Sequence, residues 1–167
     1  MSELPHDELR WEVVLSSSVQ LREQLAGRGR VLSGVPVDLP GAPEGRAPDL
    51  VVLAPDAGRD AGGRYRAADV EVVLEVARPG RGHVWARVCA EGGVPLYVLV
   101  DPAVRVCTVH TAPSPGGAYR EAERVPFGND LFLPAGGRTL VLRTDEFPPG
   151  APTPGTGPGG GRGIVDG

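Results

Sequence analysis

Three apolar segments constrain the fold of this chain more than any other feature. They are residues 50–53 (LVVL), 70–77 (VEVVLEVA) and 96–100 (LYVLV). Short runs that are apolar on both faces are typical of strands at the centre of a sheet that is covered on both sides. Glu75 interrupts the second run, and a carboxylate among valines is costly to bury unless it is paired, hydrated or bound to a metal. The pattern therefore predicts a covered central sheet and singles out Glu75 as a candidate functional residue.

Helical and turn signals place the remaining elements around these strands. Val14, Leu21 and Leu25 recur at helical spacing and predict a first helix over 6–26. A second helix is predicted over 82–91, before a Gly-Gly pair. Further β segments are predicted at 29–32, 35–39, 105–110, 119–125, 131–133 and 139–142. This order predicts an α+β domain with a mixed central sheet flanked by helices, and with C-terminal β-hairpins.

The composition of the chain changes sharply near its end. The chain has 167 residues, enough for one domain with a hydrophobic core, and we expect a single domain over 1–147. From 148 to 167, 13 of 20 residues are Gly or Pro. Such a segment has little to bury and is typical of disorder. The sequence therefore predicts one folded domain followed by a disordered tail.

The charge pattern gives no overall attraction to nucleic acid but leaves a local one open. The net charge is −4, and all 17 basic residues are Arg, with no Lys in the chain. Between residues 59 and 87, six arginines stand against four acids. Such a cluster fits either bound phosphates or a solvated rim. The charge pattern therefore leaves both interpretations open.

Cysteine spacing and the lengths of the apolar runs bear on the location of the protein. No apolar run approaches the roughly 20 residues that a membrane helix needs, and no leader sequence is recognisable. Cys89 and Cys107 lack metal-ligand spacing and are expected to be reduced thiols. We expect a cytoplasmic protein with no membrane partner.

Asp49 and Glu75 are candidate functional residues, because each is a carboxylate on a predicted strand that looks buried. Two such carboxylates can hold a divalent ion such as Mg²⁺, which prefers oxygen ligands and keeps several waters. A bound ion can activate one of those waters and stabilise charge on a phosphate. Each residue also has a structural interpretation. Asp49 fits a cap at a strand entrance, and Glu75 fits a buried ion pair with Arg78 or Arg87; the sequence leaves both open.

Three strings of the chain carry a family resemblance. APDLVVL (47–53), VVLEVARPG (72–80) and AEGGVPLYVLVDP (90–102) resemble the Uma-type restriction endonuclease family, a member of the PD-(D/E)xK nuclease superfamily. The resemblance implies a restriction-endonuclease-like fold and hydrolysis of DNA phosphodiester bonds, with Mg²⁺ or Mn²⁺ as the cofactor. It also implies that Asp49, Glu75 and the backbone carbonyl of Val76 bind the metal ion.

The lysine of the superfamily motif is where the chain departs from this resemblance. In the family that lysine lies on the helix after the Glu strand, and Trp85 occupies its place here. The acidic residue one turn earlier is replaced by Arg81, which supplies charge but does not deprotonate usefully. Trp85 also fits a packing residue between helix and sheet.

The missing lysine leads to two hypotheses for function. The first is a divalent-metal endonuclease with impaired catalysis. The alternative is a catalytically degenerate nuclease fold that serves as a binding or assembly module. A homodimer is compatible with either.

Overall fold

The computed structural model describes residues 6–78 and 84–150 and confirms the predicted α+β class. Helix α1 (His6–Leu25) comes first, and α2 (Val84–Glu91) lies between the fifth and sixth strands. The predicted start of the second helix, at Gly82, lies outside the described residues. The strands are β1 (Arg30–Leu32), β2 (Val37–Asp38), β3 (Leu50–Leu53), β4 (Tyr65–Arg66), β5 (Val70–Val76), β6 (Leu96–Asp101), β7 (Val106–Pro113), β8 (Tyr119–Pro126), β9 (Asp130–Ala135) and β10 (Arg138–Arg143).

Six of these strands form one mixed sheet, in the order β1-β3-β5-β6-β7-β8. β5 and β6 run parallel, and α2 lies in the connection between them; the other neighbouring pairs of this sheet are antiparallel. The three segments predicted as central strands are β3, β5 and β6, and they are adjacent in the sheet. They take these positions because strands that are apolar on both faces need cover on both sides.

Two separate cores cover the two faces of this sheet. On one face, α1 and the β9-β10 hairpin pack over alternate residues of β5, namely Val72, Leu74 and Val76. On the other face, α2 and the segments that contain β2 and β4 pack over Val73. Because side chains alternate along a strand, Glu75 projects to the α2 side, like Val73.

Two glutamines of α1 fasten the helix to the edge strand β10. The Gln24 side chain accepts a hydrogen bond from the Val141 amide at 2.7 Å and donates one to the Val141 carbonyl at 2.6 Å. Gln20, one turn earlier, makes the same pair of bonds with Arg143, at 2.8 and 3.1 Å. The side-chain amides therefore satisfy backbone groups that a strand edge would otherwise leave unpaired.

The end of the described chain packs on the domain. Phe147 is buried and meets Phe127 edge to face, with ring centroids 5.6 Å apart. The Gly150 amide donates to the Pro102 carbonyl at 2.8 Å. The predicted disordered tail begins at 148, and its residues 151–167 lie outside the described part. In the described ranges, no helix is long and apolar enough to cross a membrane.

Candidate functional site

The structure brings Asp49 and Glu75 together. The antiparallel register of β3 and β5 pairs Leu50 with Leu74. Asp49 directly precedes Leu50 and Glu75 directly follows Leu74, so the two acids occupy the next pair of positions along the two strands. The Asp49 amide donates to Glu75 Oε1 at 2.8 Å, and the Val76 amide donates to Asp49 Oδ2 at 2.9 Å. Asp49 is 4% exposed and Glu75 8% exposed. The two carboxylates are therefore locked to each other's strand by backbone hydrogen bonds.

Within the described residues, the ion pairs with arginine are made by Asp49 and not by Glu75. Arg10 of α1 places Nη1 2.9 Å from Asp49 Oδ1, and Arg78 places Nη2 3.8 Å from the same oxygen. Arg87, the other arginine considered as a partner of Glu75, bonds to Glu91 on the exposed side of α2 at 3.0 Å. The buried ion pair that the sequence suggested for Glu75 is thus made by Asp49.

Glu75 has a pKa far above its ordinary value of 4.5. Burial, followed by the negative charge of Asp49, raises the pKa of this carboxyl to about 9. The hydrogen bond from the Asp49 amide and the charge of Arg78 act in the opposite direction. Glu75 is therefore protonated at neutral pH.

An open cavity of about 570 Å³ lies over the carboxylate pair. Besides Asp49 and Glu75, its wall includes Arg46, Arg78, Trp85, Tyr97 and Leu99. Trp85 is half-buried, lines this cavity and also packs against the core on the α2 side. Arg81, predicted near the same place, lies outside the described residues. The cavity combines two arginines with aromatic and aliphatic surface.

A divalent ion at this site would need oxygen atoms of Asp49 and Glu75 that are free to bind it. Asp49 already gives one oxygen to Arg10 and the other to the Val76 amide. Glu75 carries a proton that an ion would have to displace, because a metal-binding carboxylate is ionised. Within the described residues, no group of three or more His, Cys, Asp or Glu side chains is placed to hold a metal. As arranged, these residues do not fit a resident Mg²⁺ or Mn²⁺ ion.

Sequence reasoning missed Arg10, the residue closest to Asp49. Arg10 lies one helical turn before the buried Val14 and two turns before the buried Ser17. A charged side chain on the buried face of an amphipathic helix is a signal that the sequence contains. Its partner, 39 residues further along the chain, has no such signal.

The described residues form a mixed central sheet with two acidic residues on adjacent strands and a helix in the crossover between β5 and β6. A solved structure described as a "putative nuclease belonging to DUF820" from Anabaena variabilis matches with a TM-score of 0.52 and 16% identity. The match covers 78% of this chain and 73% of that one. The chain belongs to the Uma2 family, described as "Putative restriction endonuclease", which matches residues 2–144. No curated protein matches the chain.

Proposed function

We propose that this Uma2 member binds DNA phosphates at the cavity over Asp49 and Glu75 and has lost metal-dependent hydrolysis. The family is described as a restriction endonuclease, and this chain lacks part of the family's motif. With Trp85 in the place of the motif lysine and no lysine elsewhere, the chain lacks the usual group that orients a nucleophile.

The contact between Arg10 and Asp49 is the observation that carries this proposal. A guanidinium 2.9 Å from Asp49 Oδ1 supplies the positive charge that a divalent ion would otherwise supply at that oxygen. Displacing it would leave a carboxylate that is 4% exposed with one partner fewer, which is costly. Arg10 therefore stabilises the fold at the point where catalysis would need an ion.

The lining of the cavity supports binding of a nucleotide. Arg46 and Arg78 lie at its wall, and arginine forms bidentate contacts with phosphate. Trp85 offers an aromatic ring, and stacking of a base on such a ring contributes about 1–3 kcal/mol. A volume of about 570 Å³ falls in the range of small-molecule sites. One phosphate and its base are the ligand chemistry that this wall recognises.

A cleavage assay tests the loss of hydrolysis. Supercoiled plasmid is incubated with Mg²⁺ or Mn²⁺ and with the wild-type protein, Asp49→Ala or Glu75→Ala. We expect no nicking by the wild type above the level of the two variants. Cleavage by the wild type that both variants lose would overturn the proposal. It would favour a metal-dependent endonuclease, the second candidate, which the retained carboxylate pair and the family description support.

A binding assay tests the other half of the proposal. Fluorescence anisotropy of a labelled single-stranded oligonucleotide is measured at several salt concentrations. Arg46→Ala and Arg78→Ala are expected to weaken binding and to reduce the salt slope by about 1 each. Arg120→Ala, an exposed arginine on β8, is the matched control and is expected to bind like the wild type. Equal affinity for all four proteins would contradict a phosphate site in the cavity.

A further inference from the structure

Helix α1 carries an apolar stripe that points away from its own domain. Trp11 is 57% exposed, Leu15 43% and Val19 57%. These residues are spaced by four, so they form one ridge along the helix. The opposite side of α1 buries Val13, Val14, Leu21 and Leu25 against the sheet and the hairpin. The helix is therefore apolar on two sides, and only one of them is covered by this chain within the described residues.

Charged residues of opposite sign end this stripe. Glu8 and Arg22 are both exposed, and each lies seven residues from Leu15. Seven residues are about 20° short of two full helical turns, so both lie on nearly the same line as Leu15. Along the helix the exposed strip thus presents an acid, then three apolar side chains, then a base.

We propose that this strip (Glu8, Trp11, Leu15, Val19 and Arg22) is the interface between two copies of the chain. The two α1 helices pair antiparallel about a two-fold axis at Leu15. In that arrangement, Trp11 of one copy lies level with Val19 of the other. Glu8 lies level with Arg22, and the symmetry makes this contact twice. The strip is its own complement, which is the requirement of a two-fold interface.

The order of charges selects this partner and this direction. A parallel pair would set Glu8 beside Glu8 and Arg22 beside Arg22, and like charges side by side disfavour it. Apolar surface and charge order therefore both favour a second copy in antiparallel orientation.

This pairing leaves the cavity open. Arg10 lies about 140° around the helix from Leu15, so its contact with Asp49 falls outside the proposed interface. A helix of 20 residues is about 30 Å long. A contact along one such helix is at the small end of specific interfaces, so we expect a reversible dimer at micromolar concentration. The proposed dimer does not depend on whether the cavity binds or cleaves DNA.

Sedimentation velocity of the full chain over a range of micromolar concentrations tests the dimer. The wild type is expected to shift from monomer to dimer as concentration rises. Leu15→Glu, which sets two carboxylates together at the two-fold axis, is expected to raise the dimer Kd at least about tenfold. Phe132→Glu removes another exposed apolar side chain, 64% exposed on β9, and is expected to dimerise like the wild type. Circular dichroism checks that each variant is folded.

Charge exchange tests the antiparallel direction. Glu8→Arg and Arg22→Glu are each expected to raise the dimer Kd severalfold, because each sets like charges together twice. The double variant Glu8→Arg/Arg22→Glu restores both pairs and is expected to dimerise like the wild type. A wild type that stays monomeric throughout, or a dimer that Leu15→Glu leaves intact, would overturn the proposal. A double variant no better than either single variant would overturn the antiparallel register.

Discussion

Glu75 and Asp49 show how the fold tolerates two acids in a core of valine and leucine. Asp49 forms an ion pair with Arg10, and Glu75 is neutral because burial raises its pKa. Each carboxylate also accepts a hydrogen bond from a backbone amide of the neighbouring strand. The pair therefore contributes to strand pairing, in addition to any part in binding.

A pH dependence of stability follows from the raised pKa of Glu75. The folded state keeps a proton that the unfolded state releases above its ordinary pKa of 4.5. The stability contributed by Glu75 is therefore fully present below that pH and falls as the pH rises toward the folded value. The fall is at most about 1.4 kcal/mol per pH unit.

Glu75→Gln tests this dependence, because glutamine keeps the shape and the acceptor oxygen but does not ionise. Urea unfolding between about pH 5 and pH 8 is expected to show a flatter profile for Glu75→Gln than for the wild type. Glu123→Gln, at an exposed position on β8, is the control and is expected to keep the wild-type slope. An unchanged slope in Glu75→Gln would show that another group is responsible.

At the scale of elements, α1 is defined by its contacts as much as by its sequence. The helix predicted over 6–26 is present at His6–Leu25. Its apolar residues alone do not tell which side faces the sheet, because Trp11, Leu15 and Val19 form a second stripe. The bonds of Gln20 and Gln24 to β10 fix the rotation of the helix about its axis.

Gln24→Ala is expected to lower the free energy of unfolding by about 1–3 kcal/mol, because it leaves the amide and carbonyl of Val141 without their partner. Urea unfolding measures this change, and hydrogen exchange is expected to be faster at the Val141 amide. Glu23→Ala, an exposed position on the same turn, is the control and is expected to change stability little. Equal losses in both variants would indicate a change in the helix and not in its docking.

For the whole molecule, the C-terminal residues of the described chain complete the cover of one sheet face. Phe147 joins the core beneath α1 and the hairpin. The Thr144 hydroxyl accepts from the Gly128 amide at 2.9 Å and donates to the Asn129 carbonyl at 2.8 Å. These contacts tie the segment after β10 to the loop before β9.

Truncation at two positions tests where the folded domain ends. A chain that ends at Gly150 is expected to unfold at the same temperature as the full chain, because the remainder is predicted to be disordered. A chain that ends at Arg143 loses Phe147 and Thr144 and is expected to be less stable by about 3 kcal/mol. Thermal unfolding measures both. A lower midpoint for the chain that ends at Gly150 would show that the tail contributes to the fold.

The central sheet and the position of the acidic pair could be predicted from the sequence. β3, β5 and β6 are apolar on both faces, and burial of such a pattern has few solutions. Glu75 was found because a carboxylate beside buried valines needs a specific reason, and Asp49 because it stands in a string that carries the family resemblance. Both signals are local, since strand alternation and burial cost depend on neighbouring residues in the chain.

Only the tertiary structure decided which polar side chain contacts which partner. Arg10 reaches Asp49 across 39 residues, and Gln24 reaches Val141 across 117. Such contacts depend on how helices and strands pack, and a local pattern does not encode the packing. The same holds for the cavity and for the exposed stripe of α1, because each is defined by what the rest of the chain covers. The sequence by itself determined the sheet and its two acids, and packing decided that an arginine lies against one of them.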